Sequence, residues 1–185
     1  MGNFLALIIV LLVGTTAFGQ GVVKSSQLER QNAAIEQERD QQEQSIRVTL
    51  STAAGSILKP KQHFKVGERV NILVNMTNTG TELVGVATTS QYFEHRLHLT
   101  RDGQVEPYSK KANDKLQAEG DSPTIGVRVI ETALPPNQPT TVTVIHLSDW
   151  YEPLALGKYE LTMQHRLTKK WLPQGSNTVK FEIVP

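Results

Sequence analysis

The chain has five histidines, whose imidazole groups could bind a metal ion. His95 and His98 are three residues apart, a spacing that would place both imidazoles on one face of a helix. The residues around them alternate between apolar and polar, which predicts a strand, where the two rings point to opposite sides. We therefore expect His95 on an apolar face, His98 on a wet face, and no metal ion between them. His63, His146 and His165 are too scattered along the chain to change that expectation.

The segment that contains Asp149 and Glu152 is the candidate for acid–base chemistry. These carboxylates flank Trp150 and Tyr151, next to Pro153, a cluster that favours a one-turn connection capped by a polar side chain. No Gly-x-Ser-x-Gly motif occurs, so no serine is predicted on a strand-to-helix turn that displays a nucleophilic hydroxyl. We expect a protein that is not an enzyme, and a carboxylate site near Asp149 is the second alternative.

Three aromatic residues are the predicted binding residues: Trp150, Tyr151 and Trp171. Trp150 and Tyr151 lie in the segment 147–153, and rings of these types supply large, stiff contact areas in protein interfaces. A second interpretation is that Trp150 fills the end of the domain, since aromatic residues in small domains mostly serve the core. Trp171 follows two lysines in a predicted hairpin loop, where exposure and a cation–π or carbohydrate-stacking contact are expected.

Composition narrows the class of partner. The chain has no cysteine, which excludes a disulfide framework, a thiolate zinc site and a cysteine nucleophile, so the core alone must hold the fold. The formal net charge is +1 with both signs mixed, which leaves no large electrostatic footprint for nucleic acid or an anionic membrane. We expect an unknown protein or carbohydrate partner and no cofactor.

The first residues have the composition of an export segment. Phe4 to Val13 is almost wholly aliphatic, no charged side chain precedes Lys24, and Ala17-Phe18-Gly19 offers the small residues that a signal peptidase accepts. An apolar stretch this short does not span a bilayer comfortably. We expect residues 1–19 to be a signal peptide, cleaved before Gln20, and the protein to be exported to the periplasm or cell surface. A membrane contact is expected only if this segment stays uncleaved.

Residues 20–45 are predicted to be a polar, Gln- and Glu-rich stalk with helical character. Their composition favours helix but offers little surface to bury. Leu28 and Ile35 are seven residues apart, yet a coiled coil needs apolar a and d positions over three or more heptads. A solvated spacer is the interpretation, with a self-associating helix as its alternative.

Residues 46–185 show apolar side chains at a period of two, typical of half-buried strands, and are predicted to form one domain. Asp102-Gly103 after an alternating run predicts a tight hairpin, and Asn78-Thr79-Gly80 predicts another. Residues 108–123 are charged and polar and predict a long loop. No helix is obvious, and eight or nine strands are expected, near 46–51, 69–78, 82–87, 93–100, from 104, 125–132, 141–147, 158–166 and 177–184.

This pattern predicts an all-β fold, an immunoglobulin-like antiparallel β-sandwich. In such domains a tyrosine near the start of the penultimate strand lies two residues before an inward position and turns its hydroxyl back to the chain just upstream. Tyr159 and Leu161 have that spacing. Leu161 would occupy the position where antibody domains carry a cysteine.

The order of these motifs resembles the immunoglobulin-like domains of exported bacterial proteins and is similar to the proteinase-inhibitor-like (BsuPI-like) group. The motifs are Val66-Gly67-Glu68, Thr77-Asn78-Thr79-Gly80, Asp102-Gly103, a Pro-rich turn and Gly157-Lys158-Tyr159. The predicted function, which rests on the export segment, the period-two strands and the lack of a reactive cluster, is a non-catalytic interaction or structural module. The resemblance leaves a protease inhibitor as the first alternative, with a bait loop such as 109–121, although no inhibitory residue can be carried over.

Overall fold

The computed structural model describes residues 28–37, 44–55, 58–120, 129–167 and 170–185. The chain divides into two units, Met1–Glu38 and Arg39–Pro185. In the first unit residues 28–37 form helix α1 and are all exposed, as the polar composition of the stalk predicts. The predicted signal peptide, residues 1–19, lies outside the described residues. None of the helices in the described ranges is long and apolar enough to cross a bilayer.

The second unit is built mostly of strands, which form several sheets. Its described part contains eleven strands rather than the eight or nine predicted, because short edge strands add to the long ones. In chain order the strands are β1 (Ile46–Ala54), β2 (Lys59–Pro60), β3 (His63–Lys65), β4 (Asn71–Asn78), β5 (Val84–Thr88), β6 (His95–Arg101), β7 (Gln104–Val105), β8 (Ile130–Leu134), β9 (Pro139–His146), β10 (Gly157–His165) and β11 (Val179–Val184).

Two larger sheets carry the apolar alternation that the sequence predicts. One has the order β2-β1-β4-β9 and is antiparallel throughout. The other has the order β3-β11-β10-β6-β7 and is antiparallel except where β3 runs parallel to β11. The inward side chains of both sheets belong to one hydrophobic cluster, in which Ile72, Leu99 and Leu161 are fully buried. Burying one such side chain contributes about 1.5–3 kcal/mol, so this shared core dominates the stability of the unit.

The Asp102-Gly103 hairpin is confirmed. Strands β6 and β7 pair in antiparallel fashion on either side of it. Asp102 has φ of 50° and Gly103 has φ of 84°, the two positive values that a tight two-residue turn requires.

The hairpin predicted at Asn78-Thr79-Gly80 does not form, so this prediction is wrong. Strand β4 pairs with β1 and β9, whereas β5 pairs with β8 in a separate two-stranded sheet. Asn78 is buried, and its side-chain amide donates to the carbonyl oxygens of Glu82 and Leu134 at 2.6 and 3.1 Å. Its Oδ1 accepts from the Gly80 N–H at 2.9 Å. The asparagine therefore ties the end of β4 to a distant strand instead of closing a hairpin.

The predicted loop 108–123 contains helix α3 (Lys110–Glu119). Ser109 caps the helix by accepting from the Ala112 N–H at 3.2 Å. Only Ala112 and Glu119 of the helix are buried, so the sequence lacks the apolar stripe that normally reveals a helix. A shorter helix, α2 (Gln91–Glu94), occupies the start of the strand predicted from Phe93. Of the strand predicted at 125–132, the described part begins with β8, and residues 121–128 lie outside the described ranges.

The hydrogen bond expected of Tyr159 is confirmed. Its hydroxyl donates to the carbonyl oxygen of Ala155, four residues upstream, at 2.8 Å. The ring is buried and stacks on Phe181 with centroids 5.1 Å apart. Tyr159 therefore fixes the entry into β10 against the core.

Removing this hydroxyl should destabilise the unit without changing its fold. In Tyr159→Phe the Ala155 carbonyl loses its donor while the ring contact remains, so the free energy of unfolding should fall by about 1 kcal/mol. Urea denaturation followed by circular dichroism measures the change. Lys158→Gln, at an exposed neighbour with no ion pair among the described residues, is the control and should change stability by a few tenths of a kcal/mol at most. Equal stability of wild type and Tyr159→Phe would contradict the assigned role.

Candidate functional site

Trp150 lies in the interior at one end of the second unit. It is 0% exposed, and its indole N–H donates to Gln91 Oε1 at 3.2 Å. The ring packs beside Tyr92 and Tyr108, with centroid distances of 4.8 and 5.7 Å. This arrangement agrees with the second interpretation, in which Trp150 fills the end of the domain.

Tyr151 is also buried, at 3% exposure, with its ring centroid 5.5 Å from that of Tyr108. Burial raises the pKa of its hydroxyl above the usual phenol range, so the group stays neutral. Trp150 and Tyr151 thus offer no open aromatic surface to a partner in this conformation. Tyr151 nevertheless forms part of a cavity wall, and its role in binding stays a prediction.

Trp171 is half-buried rather than exposed as expected, and it forms cation–π contacts within the protein. Two arginines supply cations for these contacts. The Arg166 and Arg96 guanidinium carbons lie 4.3 and 5.0 Å from the centre of the Trp171 ring. Arg166 also lies 4.7 Å from the centre of the Phe93 ring. These arginine contacts cover much of the Trp171 ring surface that a carbohydrate would need, because sugars bind on open aromatic faces.

A partly open cavity of about 520 Å³ lies beside the buried aromatic residues. The connection between β3 and β4 forms one wall, and Ser109 and Lys111 at the start of α3 form another. Residues 147–148 and 151–154 close a third side, and Ile183 of β11 completes the lining. The cavity volume falls in the range of sites that hold a small molecule or a side chain of a partner. Most of the predicted contact segment, 147–153, therefore faces one concave site.

Only part of the charge around this cavity is already paired. Glu68 forms an ion pair with Lys61, whose hydrogen bond lowers the pKa of the Glu68 carboxyl below its usual value. Lys111 Nζ lies 3.8 Å from an Asp149 carboxylate oxygen. Within the described ranges Arg69 and Glu152 are exposed lining residues that have no ion-pair partner. The rim of the cavity thus presents one positive and one negative side chain that form no ion pair with another described residue.

Glu68 also closes the outer edge of β3. Its backbone N–H donates to the Lys65 carbonyl oxygen, and its Oε2 accepts from the Lys65 N–H, each at 2.9 Å. The connection between β3 and β4 therefore leaves the main-chain groups of Lys65 occupied.

Exposed apolar residues border the same site. Val66 is 56% exposed and Leu156 is 53% exposed. The Val66 N–H donates to the Val184 carbonyl oxygen at 3.0 Å, and Gly157, which follows Leu156, pairs with Ile183. Both apolar side chains thus lie at the end of the five-stranded sheet that carries Ile183 of the cavity lining. The two side chains add exposed apolar surface at this end of the sheet.

The histidines include a pair that the sequence did not reveal. His95 is buried and His98 is exposed, as predicted, but strand pairing places His165 directly opposite His95. Their Nδ1 atoms are 2.9 Å apart, a contact that needs one nitrogen as donor and the other as acceptor. Burial lowers the pKa of His165 to about 3. The pKa of His95 is lowered well below its usual value by burial, and then by His165 and Arg96.

The residues proposed for catalysis do not converge. Asp149 is half-buried with its carboxylate towards Lys111, and Glu152 is exposed. Among the described residues no group of three or more His, Asp or Glu side chains could hold a metal ion. The interval 109–121 proposed as an inhibitor's bait is largely helical, whereas an extended backbone is what adds to the active-site strand of a protease. Neither alternative gains a specific observation.

Comparison of the sequence with the profiles of known protein families finds no match, and comparison with curated proteins finds none.

The two tryptophans should differ sharply in their effect on stability. Trp150→Ala should lower the free energy of unfolding by about 3–5 kcal/mol, because it empties a fully buried site. Trp171→Ala should cost about 1–2 kcal/mol, since it removes cation–π contacts near the surface. Urea denaturation of the two variants at one pH gives both values. Similar losses would contradict the different roles assigned to the two rings.

The histidine pair should make the unit less stable in acid. Both histidines have a lowered pKa in the folded state, so their contribution is complete above the unfolded value of 6.5 and is lost progressively as the pH falls below it, for His165 toward its folded-state pKa of about 3. Between pH 7.5 and pH 5 each buried histidine should cost about 2 kcal/mol of unfolding free energy.

The variant His165→Gln isolates this effect in urea denaturation at the two pH values. Its loss of stability in acid should be smaller than that of the wild type by about 2 kcal/mol, since only one histidine of the pair remains. His98→Gln, at an exposed histidine, should retain the full wild-type dependence. A wild-type dependence in His165→Gln would show that the pair is not the cause.

Proposed function

We propose that the second unit is an immunoglobulin-like sandwich that acts as a non-catalytic binding module in an exported protein. The partner is a polypeptide that places an apolar side chain in the 520 Å³ cavity. The observation that carries this proposal is the cavity itself, with exposed Val66 and Leu156 beside it.

The strand order supports the sandwich. If β1, β4 and β9 correspond to strands A, B and E, and β6, β10 and β11 to C, F and G, the two larger sheets have the orders A-B-E and G-F-C. These are the neighbours found in immunoglobulin-like domains. The Tyr159 hydrogen bond adds the corner that such domains place at the start of strand F. These features are common to immunoglobulin-like domains, so the proposed likeness to exported bacterial domains of the BsuPI-like group rests on the sequence motifs alone.

The chemistry of the rim favours a polypeptide over a carbohydrate. Trp150 and Tyr151 are buried, and two arginine side chains lie over the half-buried ring of Trp171, which leaves little open aromatic surface for a sugar. Uncommitted Arg69 and Glu152 suit a segment that carries charges of both signs around an apolar anchor. A concave, mainly apolar site with a few polar groups is where such an anchor gains most of its binding free energy.

Export rests on the N-terminal sequence. The aliphatic run 4–13 and the small residues 17–19 favour a cleaved signal peptide, and the absence of cysteine removes any need for oxidative folding after export. The periplasm or cell surface is the proposed location, with the polar stalk as a spacer. Mass spectrometry of the mature N-terminus in fractionated cells tests this part, and a chain that still begins at Met1 in the cytoplasm would refute it.

Filling the cavity should weaken peptide binding. Peptides selected from a displayed random library on the purified chain are the probe, and affinities are measured by fluorescence anisotropy. Ser148→Trp places a large side chain in the lining, so we expect these peptides to bind at least tenfold more weakly. Arg69→Glu should select against acidic residues that flank the apolar anchor.

Glu131→Trp is the matched control, because it adds the same side chain at an exposed position on β8, outside the cavity lining. It should leave peptide affinity unchanged. Peptides that bind Ser148→Trp as tightly as the wild type, or selections that yield no binder at all, would remove the proposed site.

A further inference from the structure

Helices α2 and α3 meet through a hydrogen bond between buried side chains. The Ser90 hydroxyl, which caps α2, donates to Glu119 Oε1 at the last residue of α3 over 2.8 Å. Ser90 is 8% exposed and Glu119 is 7% exposed. The C-terminal end of α3 therefore rests on α2 through a carboxylate that water hardly reaches.

A second carboxylate is buried at the same junction. Glu94, the last residue of α2, is 4% exposed, and its Oε1 accepts from the backbone N–H and, at 2.9 Å, from the hydroxyl of Thr89. Glu119 Oε2 is buried and has no hydrogen-bond partner among the described residues. Neither carboxylate forms an ion pair within that part of the chain. Two negative charges here would lose hydration without a cation to compensate them.

Among the described residues, the charged groups around the junction do not supply that cation. The neighbouring backbone carries His95 and Arg96 on β6, and Arg96 donates to the carbonyl oxygens of Tyr92 and His95 at 2.6 and 2.8 Å. Arg166 stacks on aromatic rings. Burial keeps His165 neutral by lowering its pKa, and the pKa of Tyr92 is raised by burial, then by the charges of Asp149 and Glu119.

We propose that Glu94 and Glu119 form a proton-operated contact that holds α3 against α2. A proton taken up by Glu94 in mild acid removes one of the two buried charges and fixes α3. Loss of that proton above neutral pH restores the repulsion and loosens the helix.

The direction in which this contact changes with pH follows from the burial of Glu94. Burial and the charge of Glu119 raise the pKa of Glu94 from 4.5 to about 6, although hydrogen bonds from Thr89 act in the opposite sense. A group with a raised folded-state pKa stabilises most below its unfolded value and loses that contribution as the pH rises through about 6. The effect is opposite in sign to that of the buried histidines.

The contact reaches the cavity through α3. Ser109 and Lys111, at the other end of this ten-residue helix, line the cavity. A firmly held helix keeps that wall in place, so partner binding would be strongest in mild acid. This last consequence rests on the proposed function, whereas the proton-operated contact does not.

Hydrogen exchange of the α3 amides in the purified full chain tests the contact without any ligand. After correction for intrinsic exchange rates, protection of α3 should be about eightfold higher at pH 5 than at pH 8. Glu94→Gln keeps the shape of the side chain and removes its charge, so its α3 should be protected at both pH values. Glu119→Gln should behave in the same way, and Glu131→Gln, at an exposed glutamate, should follow the wild type.

A thiol probe covers the case in which a glutamine variant folds poorly. The chain has no cysteine, and Ala112 on the buried side of α3 is 0% exposed, so Ala112→Cys reacts only when the helix lifts. Its labelling rate, corrected for thiolate fraction, should be lower at pH 5 than at pH 8. The proposal would be overturned if protection and labelling of α3 in the wild type did not change with pH. It would also be overturned if α3 of Glu94→Gln kept the pH dependence of the wild type. Because no partner is involved, either result leaves the binding function to be judged separately.

Discussion

One shared apolar core is the constraint on which the rest of the second unit depends. Both larger sheets direct alternate side chains into it, and there is no disulfide to hold them together if that packing fails. Each strand must therefore keep its register, because a slip of one residue would turn its apolar side chains outward. The cavity and the two short helices are attached to this core, so their geometry is only as fixed as the strands beneath them.

Much of the strand framework is predictable because it depends on local chemistry. Alternation locates β4 and β10, and Asp102-Gly103 marks a turn that needs two positive φ values. Helix α3 escapes prediction because it buries almost none of its surface and so carries no apolar stripe. The pairing of β5 with β8 escapes it too, since Asn78 serves distant carbonyl groups that no local pattern reveals.

The functional region follows the same division. The sequence identifies 147–153 as unusual, and this segment does line the cavity, yet its tryptophan faces the interior. Propensity cannot tell whether a ring is a contact or a plug, because both roles need the same large side chain. The His95–His165 contact is equally hidden, as the two residues are 70 positions apart and meet only through the register of β6 and β10. Contacts between polar groups in the interior thus depend on which strands pair, whereas local alternation of apolar and polar residues is enough to locate the apolar faces.

The two hydrogen bonds between Glu68 and Lys65 affect how this protein behaves at high concentration. An open strand border presents unsatisfied amides and carbonyls onto which another chain can add, which is a route to aggregation. Here the N–H and the C=O of Lys65 are both occupied by Glu68, which also places negative charge at that border. The border of β3 is thereby protected from intermolecular strand addition at that residue, an advantage for a protein that has no covalent cross-link to restrain partial opening.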